Sequence, residues 1–177
     1  SDASAVYGIP LSLEKVTITD DADIPYGAFS NCSSISSVKL QNAVSIGQNA
    51  FSRCLSLASV KFDNSLTEIN ELAFFMCSSL VSVTVPDSVT TIKNGAFDEC
   101  SSLQEITVPF VGLNRDSNFE FGYIFEYMPL GPGTSEHFST PASLQFVTIT
   151  DDDDIPSNAF IGMNSCKSIT LPDFVTY

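Results

Sequence analysis

Apolar residues recur along this chain in a unit of 22 or 23 residues. Each complete unit contains alanine, phenylalanine, two variable residues and cysteine, as in Ala50-Phe51-x-x-Cys54. The phenylalanines of the four complete units are Phe29, Phe51, Phe74 and Phe97. Periods of about 20 to 29 residues are typical of solenoids, in which one coil cannot bury its apolar face alone and must stack on its neighbours.

An aliphatic residue lies six positions after each of these phenylalanines, and two more apolar residues follow it at three and five positions. In the first complete unit they are Ile35, Val38 and Leu40. The closing alternation predicts a short strand whose alternate side chains point inward. Counting this position predicts seven strands, at Leu13, Ile35, Leu57, Leu80, Leu103, Leu144 and Cys166.

A second apolar pair follows each strand after a turn such as Asp63-Asn64-Ser65. The pairs are Val44 with Ile46, Leu66 with Ile69, and Val89 with Ile92. We expect the Ala-Phe-x-x-Cys segment to form one helical turn that directs phenylalanine and cysteine into the core. The predicted fold class is an α/β repeat solenoid. It is a right-handed leucine-rich-repeat-type superhelix with a parallel sheet of short strands on one face and one-turn helices.

The repeat continues in altered form at Ile124-Phe125-x-x-Met128 and Ala159-Phe160-x-x-Met163. Phe125 lies 28 residues after Phe97 and 35 before Phe160, which indicates an irregular insertion within about residues 110–143. Insertions on one face of a solenoid often carry binding specificity, but a solvated ornament is an equally open interpretation. We expect Phe110, inside the insertion, to contribute little to the core.

Residues 12–25 return in closely similar form as residues 143–156, so several coils together form a larger repeat. The sequence begins within a segment that resembles the end of the insertion, and it stops part-way through a coil after Pro172. Neither end resembles a capping repeat. We therefore expect residues 1–177 to form a single solenoid that is a fragment of a longer repeat array.

The chain carries a formal net charge of −14, from 21 acidic and 7 basic side chains. Such a charge repels nucleic acid and anionic membranes at long range, so neither is an expected partner. Apolar residues make up 44% of the chain, which favours an ordered protein. No apolar run reaches the roughly 18 residues of a membrane-spanning helix, so direct membrane insertion is not expected.

The segment from Val85 to Leu103, with its Ala-Phe-x-x-Cys-x-x-Leu motif, resembles the repeat of the BspA-like leucine-rich family. The resemblance covers nearly the whole chain. It implies a secreted or cell-surface protein of a host-associated bacterium, with relatives in some protists, that adheres to host matrix proteins or to other cells. The resemblance supplies no catalytic residues and no cofactor.

One column of the repeat consists of cysteines, and they are Cys32, Cys54, Cys77 and Cys100. Stacked coils about 4.8 Å apart bring their Cα atoms within the range of a disulfide. Parallel inward-pointing side chains nevertheless fit a bridge poorly, so we favour buried free thiols. Zinc held between two coils is a remote alternative, because neither a CxxC pair nor a histidine accompanies the column.

General acid–base catalysis has little support in the sequence. The single histidine, His137, lies in the insertion among Ser135, Glu136 and Phe138, without a nucleophile motif nearby. Phosphate-binding and dinucleotide-binding fingerprints are also missing from the sequence. We predict no catalytic residues, and an enzyme whose site is assembled from the insertion stays a remote alternative.

Acidic runs follow two of the predicted strands at equivalent positions, and clustered carboxylates suit calcium. The candidate ligands are Asp20, Asp21, Asp23, Asp152, Asp153 and Asp154. Aspartate is also a common turn residue, and the glycine and distal glutamate of an EF-hand loop are missing. We therefore treat calcium as a weak alternative to simple turns.

Basic residues cluster on the predicted strand face of the first three coils. Lys39 and Lys61 fall in one outward row, and Lys15 falls in the neighbouring row with Ser37 and Ser59. A positive patch on an acidic solenoid suggests an anionic ligand or an acidic protein loop, since the strand face is the usual extended binding surface. The alternative is that exposed lysines only keep the sheet soluble.

The leading hypothesis is a non-catalytic binding or adhesion module outside the cell that recognises a protein or glycan of a host or neighbouring cell. The five residues of the basic patch are its candidate ligand contacts, together with the insertion. The alternative is a structural spacer that presents another domain. The sequence leaves the ligand and the oligomeric state open.

Overall fold

The computed structural model describes residues 9–10, 12–19, 23–116, 120–127 and 139–175. Regular structure within these ranges consists of short strands and one 3₁₀ helix, Phe121–Ile124. The strands are β1 (Lys15–Ile18), β2 (Asp23–Ile24), β3 (Ser37–Leu40), β4 (Ser45–Ile46), β5 (Ser59–Lys61), β6 (Glu68–Ile69), β7 (Ser82–Thr84), β8 (Thr91–Ile92), β9 (Glu105–Val108), β10 (Phe146–Ile149) and β11 (Ser168–Thr170).

Seven parallel strands, one from each coil, form the strand face, and they confirm the seven strands that the sequence predicts. Each residue pairs with its counterpart in the next coil, as Val38 does with Val60. This face is divided into two sheets, with the orders β1-β3-β5 and β7-β9-β10-β11. β9 pairs directly with β10, so the residues between these two strands do not interrupt this part of the sheet.

The second apolar pair of each coil contributes to another parallel sheet, with the order β2-β4-β6-β8. The sequence predicts the apolar pairs but not these two-residue strands, which are too short to show a period. One of the predicted apolar pairs, Val44 with Ile46, was wrong. Ala43 is buried with Ile46, whereas Val44 is 39% exposed. The buried pair therefore has the same three-residue spacing as Leu66 with Ile69 and Val89 with Ile92.

The Ala-Phe-x-x-Cys segments are hydrogen-bonded turns rather than the one-turn helices that the sequence suggested. The residue just before each cysteine of the column has a positive φ: Asn31 at 65°, Arg53 at 60°, Met76 at 57° and Glu99 at 58°. A left-handed residue ends a right-handed helix, so the backbone reverses before a full helical turn forms. Phenylalanine and cysteine still point into the core.

The repeated phenylalanines form a column through the centre of the solenoid. Phe29, Phe51, Phe74 and Phe97 stack with ring centroids 5.2 to 5.4 Å apart and with interplanar angles of 4° or 5°. The backbone N–H of Phe51 donates to the carbonyl of Ala73 in the next coil, at 2.8 Å, and Phe74 does the same to Ala96. Ring contact and hydrogen bond thus fix the same register.

The expanded coil continues this column with two phenylalanines. Phe97 N–H donates to the carbonyl of Ile124, and the ring of Phe125 lies 6.4 Å from that of Phe97. Phe121, which the sequence analysis did not identify, donates its N–H to Ala159 and lies 6.0 Å from the ring of Phe160. Phe121 in the 3₁₀ helix and Phe125 just after it therefore connect the ring of Phe97 to the ring of Phe160.

The expectation that Phe110 contributes little to the core was also wrong. Its side chain is 1% exposed, so it belongs to the core although it lies in the insertion. Arg115 covers its ring, with the guanidinium carbon 5.5 Å from the ring centroid. The first part of the insertion is therefore packed against the solenoid, and truncation at Phe110 removes buried aromatic surface.

We predict that Phe74→Ala and Phe110→Ala each lower the free energy of unfolding by about 3 to 5 kcal/mol, because each removes a buried ring and leaves a cavity. Tyr26→Ala is the matched control, since this aromatic side chain is 64% exposed. We expect it to cost less than about 1 kcal/mol. Urea unfolding followed by circular dichroism measures all three. A small loss for Phe110→Ala would contradict its assignment to the core.

Candidate functional site

The basic patch, defined as Lys15, Lys39 and Lys61 with Ser37 and Ser59, occupies the sheet β1-β3-β5. Lys39 on β3 pairs in register with Lys61 on β5, and Ser37 pairs with Ser59. Lys15 on β1 lies opposite Ser37. All three lysines are exposed, so strands about 4.8 Å apart hold two ammonium groups side by side.

The other basic residues have protein partners. Lys93 forms a 2.8 Å salt bridge with Glu68, which raises the pKa of Lys93, and Arg115 pairs with Asp151. Lys167 donates to the side-chain carbonyl of Gln145, and Arg53 lies over the ring of Phe75. Within the described ranges, no carboxylate forms a salt bridge with the patch lysines. Among the residues that the structure describes, the positive charge of the patch therefore has no carboxylate partner.

A groove opens beside the patch, where the strand face divides between β5 and β7. Phe62 follows β5 in the position that Leu40, Val85 and Val108 fill in other coils, and its ring packs edge-on against Phe74 at 6.0 Å. Phe62 directly follows β5 at the place where the strand face divides. The groove has a volume of about 590 Å³, and its lining includes Ser59, Lys61, Ser82, Thr84, Thr107 and Asp87.

Asp87, at the far side of the groove, is held by hydrogen bonds from two residues. Thr150 donates its hydroxyl to the carboxylate of Asp87, and Arg115 donates to the backbone carbonyl of Asp87 at 3.3 Å. Arg115 also pairs with the carboxylate of Asp151 and donates to its backbone carbonyl. The groove therefore has a lysine on one side and a fixed carboxylate on the other.

Thr84 and Thr107 continue the outward row of Lys39 and Lys61, but the sequence analysis did not identify the groove. Asn64, Asp87 and Thr150 were missed, because they follow the strands in loops whose positions depend on the insertion. One signal was present in the sequence. Phe62 is an aromatic residue at a position that is aliphatic in the neighbouring coils.

The acidic candidates for calcium have separate roles where the structure describes them. Asp152 is 2% exposed and accepts the backbone N–H groups of Val111, at 2.9 Å, and Asp154, at 3.3 Å. Burial raises the pKa of its carboxyl above the ordinary value. Asp23 accepts the hydroxyl of Ser45, while Asp153 and Asp154 are exposed.

Asp20 and Asp21 lie outside the described residues. Over the ranges that the structure covers, no three histidine, cysteine or acidic side chains converge on a metal-sized position. Calcium binding by these runs stays a prediction without geometric support. His137 and residues 128–138 of the insertion also lie outside the described residues.

The cysteine column consists of free thiols, and Cys32, Cys54, Cys77 and Cys100 are all buried. Three of these thiols donate to the phenylalanine carbonyl of the preceding coil: Cys54 to Phe29 at 3.2 Å, Cys77 to Phe51 and Cys100 to Phe74, both at 3.3 Å. Burial raises the pKa of Cys54 and of Cys100 to about 12. The column links adjacent coils, and burial disfavours the reactive thiolate form of its cysteines.

The comparisons with known proteins agree with this architecture. The BspA type leucine rich repeat region matches residues 4–121 in six copies. The chain belongs to this BspA-type leucine-rich repeat family. No curated protein matches the sequence significantly.

Solved structures extend the likeness over most of this BspA-type chain. A leucine-rich cell surface protein of Faecalibacterium prausnitzii is 26% identical over 92% of the chain, with a TM-score of 0.57. The leucine-rich repeat protein of T. pallidum is 22% identical over 92%, with a TM-score of 0.58, and the alignment covers 72% of that protein. The chain spans 34% of the length of the F. prausnitzii protein.

Function in a repeat of this type resides in surface residues, because its core positions are committed to stacking. The BspA-type repeat fold is typically non-enzymatic.

None of the helical structure in the described part of the chain has the length and hydropathy of a membrane span.

We predict that the native protein reacts slowly with a thiol-alkylating reagent at pH 8, because buried thiols with raised pKa contain little thiolate. Cys166, the half-buried member, should react first. After unfolding without reductant, all five thiols should react, as counted by mass spectrometry. Fast native labelling of Cys54 or Cys77 would contradict the packing of the column.

Proposed function

We propose that this chain is a non-catalytic recognition module that acts outside the cell and binds an anionic group of a protein or glycan through the basic patch. The observation that carries the proposal is that Lys93 and Arg115 form salt bridges whereas the patch lysines do not. Lys15, Lys39 and Lys61 lack a salt-bridge partner within the described ranges, although the protein has a net charge of −14.

Electrostatics support a binding role for these lysines. Adjacent like charges on paired strands repel, and a ligand carboxylate or sulfate between Lys39 and Lys61 relieves that repulsion. The hydroxyls of Ser37 and Ser59 lie in the neighbouring row and supply uncharged hydrogen-bond partners. An acidic protein with one local positive surface also orients an anionic ligand as it approaches.

The compartment and the adhesive role belong to the proposal as well. Bacterial leucine-rich repeat proteins share the fold, and the F. prausnitzii relative is a cell surface protein. We extend that location to this chain, and we propose that the patch contacts a molecule on a host or neighbouring cell.

A spacer role is the second candidate, and one observation favours it. The sheet β2-β4-β6-β8 and the stacked phenylalanines continue across the division of the strand face. This continuity makes the array a stiff support that can present another domain.

Reversing the charge of two patch lysines distinguishes the recognition role from the spacer role. We expect Lys39→Glu combined with Lys61→Glu to lower affinity at least about tenfold for any glycan or matrix protein that a screen identifies, because both attractive charges become repulsive. Binding by the unaltered protein should also weaken with added salt. The melting temperature should stay the same or rise slightly, since the lysines repel each other in the free protein.

Arg53→Glu combined with Lys167→Glu is the matched control. It changes the net charge by the same amount, and glutamate already occupies the equivalent positions of other coils, at Glu99 and Glu14. Binding should survive in the control. Equal binding by the Lys39/Lys61 variant would assign the lysines to solubility, and a screen without any ligand would favour the spacer.

A further inference from the structure

The groove between β5 and β7 is lined by hydroxyl groups as well as by Lys61. Hydroxyls outside the strand face mostly donate to a backbone carbonyl of the preceding coil. Examples are Ser79 to Leu55 at 2.7 Å and Ser88 to Leu66 at 2.7 Å. The hydroxyls of Ser59, Ser82, Thr84 and Thr107 line the groove. Within the described part of the chain, they make no such bond.

The remaining lining completes a mixed polar and apolar surface. Asp87 accepts the hydroxyl of Thr150 through Oδ1, and its second carboxylate oxygen has no partner among the described residues. Asn64 is exposed at the rim. Half-buried Phe62 lies beside Lys61 and supplies an apolar contact.

We propose that this groove binds an acidic saccharide, a sugar unit that carries a carboxylate. Lys61, with Lys39 next to it, pairs with the carboxylate. The sugar hydroxyls exchange hydrogen bonds with Thr84 and Thr107 and donate to Asp87. The inference rests on the proposed function and names the ligand class of the same face.

Hydroxyl groups of protein and sugar are suited to each other because each both donates and accepts a hydrogen bond. The volume of about 590 Å³ lies within the range of small-molecule sites. A sugar ring that lies on the outward face of the strands meets the threonine hydroxyls with its polar edge. Charge complementarity places the acidic group at the Lys61 end, away from Asp87.

An inserted peptide strand fits this groove less well. Cα atoms of β5 and β7 approach within 8 Å of each other. A strand inserted between them needs two strand spacings of about 4.8 Å each. Backbone pairing of a peptide inside the division is therefore excluded by space, whereas a sugar lying on the hydroxyl row needs no such separation.

Titration calorimetry with three probes tests the ligand class: trigalacturonic acid, its methyl ester and triglutamate. We expect trigalacturonic acid to bind at least about tenfold more tightly than the ester, which keeps the hydroxyls but loses the charge. It should also bind at least about tenfold more tightly than the peptide, which keeps the charge but loses the hydroxyls. Equal affinity for either comparison probe, or no binding of trigalacturonic acid at millimolar concentration, would overturn the proposal.

Thr84→Val combined with Thr107→Val tests the groove without changing charge, and valine keeps the β-branched shape that strands favour. Loss of the two hydroxyls should weaken trigalacturonic acid binding about tenfold. Thr148→Val combined with Thr170→Val, in the same outward row but outside the groove, should have no effect.

The two proposals fail in different ways. If the Thr84/Thr107 variant keeps full affinity while charge reversal at Lys39 and Lys61 abolishes binding, the groove inference is wrong and the basic patch remains the site. If charge reversal has no effect on any ligand from the screen, the proposed function itself is wrong.

Discussion

Adjacent coils are joined at the repeated phenylalanine by a ring contact and a backbone hydrogen bond. Both interactions require the next phenylalanine at the same height, so they fix the register of the whole coil. The thiol of the following cysteine adds a third link to the same residue, because Cys77 donates to the carbonyl of Phe51. A small alanine before the ring permits this approach. The parallel sheets depend on this register, since each strand residue pairs with its counterpart in the next coil.

The expanded coil shows how this constraint accommodates added sequence. The ring of Phe125 contacts that of Phe97, and the ring of Phe121 contacts that of Phe160, so the column of rings continues through the expanded coil. Between them the 3₁₀ helix keeps the two rings in contact, with centroids 5.5 Å apart. Arg115, which precedes the 3₁₀ helix, donates to the backbone carbonyl of Asp87 and pairs with the carboxylate of Asp151. A residue of the insertion that interrupts the repeat thus helps to position Asp87, which lines the groove.

The strand face is the surface where stacking leaves residues free to vary. Inward positions are committed to the core, whereas the outward rows contain serine, threonine, lysine, glutamate and one exposed aromatic residue, Phe146. Variation at one inward position also matters. Phe62 packs against Phe74, regular pairing ends next to it, and the groove opens beside Lys61. The candidate site on the surface therefore lies next to an inward position whose residue differs from its counterparts in other coils.

The repeat in the sequence is enough to predict the solenoid, its seven strands and the alignment of Lys39 with Lys61, because a strict period fixes which residues become neighbours once coils stack. It did not determine the left-handed turns at Arg53 and Met76, since local spacing of phenylalanine and cysteine fits a helical turn equally well. Burial of Phe110, the role of Phe121 and the groove with Asp87 become visible only in the folded chain. Each of these depends on where the non-repeating insertion packs, and residues without a period carry no signal of their distant contacts.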